Sequence, residues 1–257
     1  LDSIKNIEKN KKFFIILSLL FLLLGFNEVL SYVVVIISAV ILFKLDYKYI
    51  VFAYILIHFF EETMQTEHIY GLNVIVLDPI IFFRLVYYIY INKIKPNVRY
   101  ISIFVFYTFF IIFSIIFKGF QFAPFVLYIH LTNILLMYVS LELKDKEEYK
   151  ILIINILKTI IFSCILAILY GIIHFNFYVE NRTNYTYFRF SGTYEPNYMA
   201  LYINIAIFSL FLLWAKNKNH IINTIIFAIL FIFLILTKSV TVFLTFVVFS
   251  IIYFLLN

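Results

Sequence analysis

Apolar and polar positions alternate along this chain in long blocks rather than residue by residue. The apolar runs are Phe13–Phe26, Val29–Phe43, Tyr49–Phe60, Leu72–Ile91, Tyr100–Phe117, Phe122–Leu141, Ile151–Phe175, Tyr198–Trp214, Ile221–Leu236 and Val240–Leu256. A helix that crosses a bilayer needs about 20 apolar residues, with a range of roughly 17–25. Seven of the runs meet that need comfortably and the first three are short. Phe13–Phe26 and Val29–Phe43 read either as a hairpin turning at Asn27-Glu28 or as one long tilted helix, which would reverse the side of every later loop.

Loop charge decides between these readings. With the N-terminus inside, fourteen of the twenty Lys/Arg fall on the cytoplasmic side: Lys5, Lys9, Lys11, Lys12, Lys44, Lys48, Lys93, Lys95, Arg99, Lys144, Lys146, Lys150, Lys216 and Lys218. Four fall outside, at Lys118, Arg182, Arg189 and Lys238, while Arg84 and Lys158 lie within runs. Positive charge concentrates on the cytoplasmic side of membrane proteins, so the hairpin is preferred. The expected fold is an all-α, polytopic transmembrane bundle of about ten spans with both termini cytoplasmic. It forms a single integral membrane domain over residues 1–257. No linker, Gly/Ser-rich stretch or internal repeat interrupts it.

Composition supports this class. The chain is 65% hydrophobic and 13% charged, with a mean hydropathy of +1.03, against about 45–50% apolar and 25% charged for soluble domains. A water-soluble fold would lack the polar residues to cover its surface. The abundance of Phe, Tyr, Ile, Lys and Asn resembles the output of an AT-rich genome. The net charge of +6 does not indicate nucleic acid, because the basic residues are scattered singly in short loops. Cys164 stands alone in an apolar run, so it forms no internal disulfide, and no Cys/His spacing suggests zinc. The first run lacks a small-residue cleavage site and reads as an uncleaved helix. The chain starts at Leu1 and stops at Asn257 directly after an apolar run, so a portion of a longer protein is expected.

Ionisable groups inside a span cost about 2.5–3.5 kcal/mol at its centre on insertion scales. Asp78 and Arg84 fall in the fourth run, six residues apart and therefore on different helix faces, and Lys158 falls in the seventh. They read as a polar network facing a cavity, with Asp78–Lys158 one possible pair, or as structural pairing and snorkelling. His130 and Asn133 share a face of the sixth run and read first as a packing pair. His58, Glu61 and Glu62 read as a solvated helix end or as the lining of an outer vestibule. Asp145, Glu147 and Glu148, interleaved with Lys144, Lys146 and Lys150, read as a solvated loop. The sequons at Asn181 and Asn184 are what chance gives in an Asn-rich chain. There is no Gly-rich phosphate loop, HExxH or paired-Asp metal motif.

The outer loop, about Asn176–Asn197, has the most room for chemistry. Within Arg189–Ala200, Gly192 and Pro196 break the chain before a span, and Asn197 is a good N-cap for a helix beginning at Tyr198. Arg189 then stands near that N-terminus, an anion-binding arrangement in which a guanidinium grips phosphate bidentately.

This segment resembles the O-antigen ligase/polymerase family of bacterial membrane glycosyltransferases. That family has Arg, Gly, Pro-Asn and Ala where this chain has Arg189, Gly192, Pro196, Asn197 and Ala200, entering a span from outside. Its next two spans meet at a short turn, here Thr237-Lys238-Ser239-Val240-Thr241. Ser239 fits, whereas Val240 stands where the family has Arg and Lys238 lies just upstream. The likeness covers Arg189 to the end of the chain; upstream it extends only to hydropathy and span number. Family members are usually longer, with a large outer loop bearing a functional His beyond the point where this chain stops.

The resemblance implies joining of glycan units on the outer side of a bacterial cytoplasmic membrane, as in O-antigen, capsular or exopolysaccharide assembly. The donor is a polyprenyl-diphosphate-linked glycan. Arg189 is the expected clamp on the departing diphosphate and Glu195 the candidate base. Arg182, Gly192, Asn197, Lys238 and Ser239 are candidate substrate-binding residues, and no metal or cofactor is implied. Expected partners are membrane lipid and other polysaccharide-assembly membrane proteins, with no nucleic acid. Two other readings stay open. One is a transporter or flippase using Asp78, Arg84, Lys158 and His130, with Pro79 the hint of a broken helix. The other is a non-catalytic membrane subunit.

Overall fold

The computed structural model describes residues 2–60, 76–93, 109, 112–113, 116, 146–182, 185–193, 195–214 and 220–256. Two apolar runs, Tyr100–Phe117 and Phe122–Leu141, lie outside these residues apart from four isolated positions. Glu61, Glu62, His130, Asn133 and Asp145 lie outside them too.

The described chain is mostly helical. Its elements are α1 (Asp2–Phe21), α2 (Glu28–Lys44), α3 (Tyr47–His58), α4 (Asp78–Ile91), α5 (Lys146–Ile173), β1 (Phe177–Arg182), β2 (Tyr185–Phe190), α6 (Pro196–Trp214), α7 (His220–Leu236) and α8 (Val240–Leu256).

The first two runs form separate helices. α1 begins well before its apolar stretch and closes through i→i−3 bonds from Leu22, Leu23 and Leu24, the tightened last turn common at helix ends. Gly25 then takes φ +81°, where a Cβ would lie 2.5 Å from the Tyr170 hydroxyl, so glycine fits and a side chain does not. Asn27 caps α2, its Oδ1 accepting from the Leu30 N–H at 2.7 Å. Glu28 in the first turn and Lys44 in the last both complement the helix dipole.

Long-range bonds show how these helices run. At one end Asn10 of α1 donates to Asp46 Oδ2 at 2.6 Å and accepts from the Asp46 N–H. Arg84 of α4 donates to the Leu45 carbonyl, and Tyr47 stacks on Tyr88 with ring centroids 3.8 Å apart. At the opposite end His174 Nε2 lies 3.2 Å from the Leu22 carbonyl oxygen, and Thr193 Oγ1 donates to the Phe59 carbonyl at 2.5 Å. α1, α2 and α3 therefore alternate in direction.

Lipid-like patterning is visible in what faces outward. α7 exposes Ile221, Ile222, Ile225, Ile229, Ile232 and Ile235, and α8 exposes Val240, Leu244, Val248, Ile251 and Leu255. Asn204 and Asn223 are instead buried, at 2% and 5% exposure. Soluble monomers rarely expose apolar surface so continuously. Several hydroxyls within the helices turn back on their own backbone, as Ser18 does to Phe14, Thr159 to Asn155 and Ser209 to Ile205, which satisfies them without an outside partner. By length and composition, two described helices are long and apolar enough to cross a membrane: Tyr149–Ile173 and Pro196–Trp214.

α5 packs closely on α6. Ser163, Ala167 and Gly171 recur every four residues along α5 and all are buried, the small-residue spacing that lets helix backbones approach. Between the two helices the chain makes an antiparallel ribbon, with Phe177 opposite Phe190 and Arg182 opposite Tyr185. The apolar-run pattern gave no sign of this hairpin.

Candidate functional site

The hairpin base is fixed from within. The Asn176 carbonyl accepts from the Ser191 N–H at 3.1 Å and from Ser191 Oγ at 2.8 Å, while Asn176 Nδ2 donates to the Gly192 carbonyl. Phe190 is fully buried against Phe233 of α7 and Phe177 of β1. Gly192 lies at φ +58°, with the Met199 sulfur 2.7 Å from where a Cβ would be. With Phe190 anchored, the neighbouring residue Arg189 is directed to where the start of α6 meets the end of α7.

There Arg189 Nε donates to the Thr237 carbonyl at 2.8 Å, and Nη2 donates to Asn197 Oδ1 at 2.7 Å. Asn197 Nδ2 in turn donates to Glu195 Oε1 at 3.1 Å. One amide thus links the cation to the carboxylate. Arg189 thus links Asn197, and through it Glu195, to the Thr237 carbonyl at the turn after α7, so one guanidinium adjoins both segments.

The Asn197 expectation needs correction. α6 starts at Pro196, not Tyr198. Proline is favoured at a first helical position, where its missing N–H costs nothing. Glu195 occupies the cap position, its carbonyl accepting from the Met199 N–H. Asn197 lies inside the first turn, and its side chain serves Arg189 and Glu195. Arg189 touches both the start of α6 and the residue that closes α7. The second contact places a cation at a helix C-terminus, which also stabilises the fold.

Lys238 ends α7 in the left-handed region, at φ +52°. Lys93 and Phe175 close α4 and α5 the same way, so this conformation is a helix stop rather than a catalytic signature. Its charge and its backbone role can be separated. Lys238→Gly is expected to keep or raise the unfolding midpoint, because the left-handed penalty of roughly 1–2 kcal/mol disappears. A thermal melt of the purified protein checks this, and a lower midpoint would contradict it. Ser239 is buried beside the turn.

The backbone of Arg182 is placed by the strand register alone. It is four ladder positions beyond the Tyr178–Arg189 pair, about 13 Å along the strands. The charges within the runs lie in different settings. Asp78 is buried at 3% exposure, Arg84 reaches Leu45, and Lys158 faces outward. His58 is half-buried and packs edge-on against Tyr54. Glu147 and Lys150 form an exposed pair at 3.5 Å; they are solvated as expected, but they lie in the first turns of α5, which starts at Lys146, rather than in a loop.

Comparison of the chain with protein-family models, with characterised proteins and with solved structures gives no match. The functional reading therefore rests on the residues and their arrangement. Sequence reasoning named Arg189, Glu195, Asn197 and the 237–239 turn, and the structure links Arg189, Asn197, Glu195 and Thr237 by hydrogen bonds. That reasoning missed Asn176 and Ser191, which hold the hairpin base, and Thr193, which ties it to α3. A polar residue on each side of a run of aromatics was the available signal.

Proposed function

We infer that the chain is a multi-span protein of a bacterial cytoplasmic membrane, of the O-antigen ligase/polymerase kind. It joins glycan units from a polyprenyl-diphosphate-linked donor on the outer side. The observation that carries this reading is the convergence of Arg189, Asn197, Glu195 and the Thr237–Ser239 turn at one end of the bundle. About ten spans with both termini cytoplasmic account for the distribution of Lys/Arg and for the apolar outer faces of α2, α7 and α8.

In the proposed reaction an acceptor hydroxyl attacks the anomeric carbon of the donor glycan. The new glycosidic bond forms as the bond from that carbon to the diphosphate oxygen breaks. The diphosphate leaves with the electron pair, and Arg189 stabilises that charge where it develops. The hydroxyl proton passes to the Glu195 carboxylate. Asn197 holds both groups in register, and Lys238 adds positive charge at the rim. The start of α6 contributes the positive end of its dipole to the same place. Other polysaccharide-assembly membrane proteins would supply the donor and receive the product.

Replacement of Arg189 in the full-length protein, scored for long-chain polysaccharide on the cell surface, tests the reading. Normal chain length from a well-expressed Arg189→Ala protein would refute it.

A further inference from the structure

At the opposite end of the bundle, Arg84 lines an open groove of about 460 Å³ together with Phe43, Phe83, Val86, Tyr87 and Tyr90. Its Nη2 donates to the carbonyl of Leu45, the residue that caps α2. Its Nε is buried and, among the described residues, has no hydrogen-bond partner. Phe43, Phe83, Tyr87 and Tyr90 leave 58–80% of their surface exposed, so the groove opens outward from the bundle.

The Leu45 contact fixes the depth of the guanidinium. Leu45 lies between Lys44, exposed at the end of α2, and Asp46, whose carboxylate accepts from Asn10. Arg84 therefore reaches from within an apolar helix to the level where polar residues begin, as long cationic side chains do at a membrane boundary. Tyr87, Tyr88 and Tyr90 ring the same end of α4, the placement expected of an interfacial aromatic belt. Lys93, just past α4, adds a further positive charge there. A half-buried guanidinium between apolar walls favours an anionic partner with oxygen acceptors. The walls beside it call for hydrocarbon.

We propose that this groove binds an anionic glycerophospholipid, with its phosphate on Arg84 and an acyl chain against Phe43, Phe83 and Val86. The proposal rests on the multi-span reading and is independent of the chemistry assigned to Arg189. Anionic lipid is the committed occupant because Lys44 and Lys93 lie at the same end, and each such cation near the surface favours a lipid of net negative charge.

The test is native mass spectrometry of the full-length protein in detergent, titrated with phosphatidylglycerol or phosphatidylcholine at equal concentrations. One retained phosphatidylglycerol is expected, bound roughly tenfold more tightly than phosphatidylcholine, the factor given by about 1.4 kcal/mol. Arg84→Gln is expected to abolish the preference. Val86→Trp fills the groove and leaves the Arg84–Leu45 bond in place, so it should abolish retention without relying on loss of that bond. Equal retention of the two lipids by the wild type would overturn the proposal, as would an unchanged preference in Val86→Trp. Inorganic phosphate at millimolar concentration is expected not to displace the lipid. Displacement would assign the site to free phosphate and overturn it equally.

Discussion

Arg189→Ala is expected to lower the rate of glycan joining by about 10²–10³-fold, the loss that follows removal of one preorganised charge-stabilising donor. The size of the effect follows from where the guanidinium is held. Its Nε and Nη2 are bound to Thr237 and Asn197, so its plane is set before substrate arrives and little reorganisation is needed as charge develops. Arg189→Lys keeps the charge but loses the planar fork, and its activity should fall between the two. A purely structural role predicts something different. Arg189 also closes α7 through Thr237, and loss of that contact would lower the unfolding midpoint and the protein level. Polysaccharide length measured beside a thermal melt separates the two. Lost polymerisation at an unchanged midpoint supports the clamp. A lower midpoint, with activity normal per folded molecule, would reduce Arg189 to a helix cap.

Gly171→Leu is expected to be the most damaging single change to the described fold. Even a Cβ at this position would lie 2.5 Å from Gly192 Cα and 2.7 Å from the Phe190 ring. The Gly192 neighbour is backbone, which no rotamer change can move aside. Overpacking of a tight contact costs typically about 1–3 kcal/mol, and the midpoint should fall by several degrees. The same strain would push the hairpin off α5 and carry Arg189 with it, so activity should fall too. Leu169→Ala, on the outward side of the same helix, serves as the control and should change little. An unaltered midpoint for Gly171→Leu would show that α5 and the hairpin base are not as closely packed as described.

The helices were readable because their signal is local. A run of apolar residues ended by Asn27-Glu28, by Asn176 or by the Thr237–Ser239 turn marks an element without knowledge of its neighbours. Their exact starts were less readable. α1 and α5 extend back into charged residues that remain good helix formers, and the proline rule that places Pro196 at a first helical position gave way to the stronger appeal of Asn197 as a cap. The hairpin was missed although its residues have strand character. Phe177-Tyr178-Val179 and Tyr185 to Phe190 are aromatic and β-branched, with Asn184 between them. Their place directly after a long apolar helix reads equally well as a loop.

The candidate site was half legible. Arg189, Glu195 and Asn197 stood in one short motif, and the second turn was named with them. The hydrogen bond that unites them spans 48 residues, a distance over which one sequence carries no pairing information. The same holds for Arg84 and Leu45, 39 residues apart. At opposite ends of the bundle these two arginines do similar work, each donating to the carbonyl that closes a helix.

Side-specific labelling in the segment between β1 and β2 tests the account most directly. The native Cys164 is fully buried, so a cysteine placed at residue 183 reports alone. Thr183→Cys in intact cells is predicted to react with a membrane-impermeant maleimide, because the hairpin that carries Arg189 must face the outside for a guanidinium to meet the donor diphosphate there. Labelling seen only after the cells are opened would put that hairpin in the cytoplasm and contradict the account.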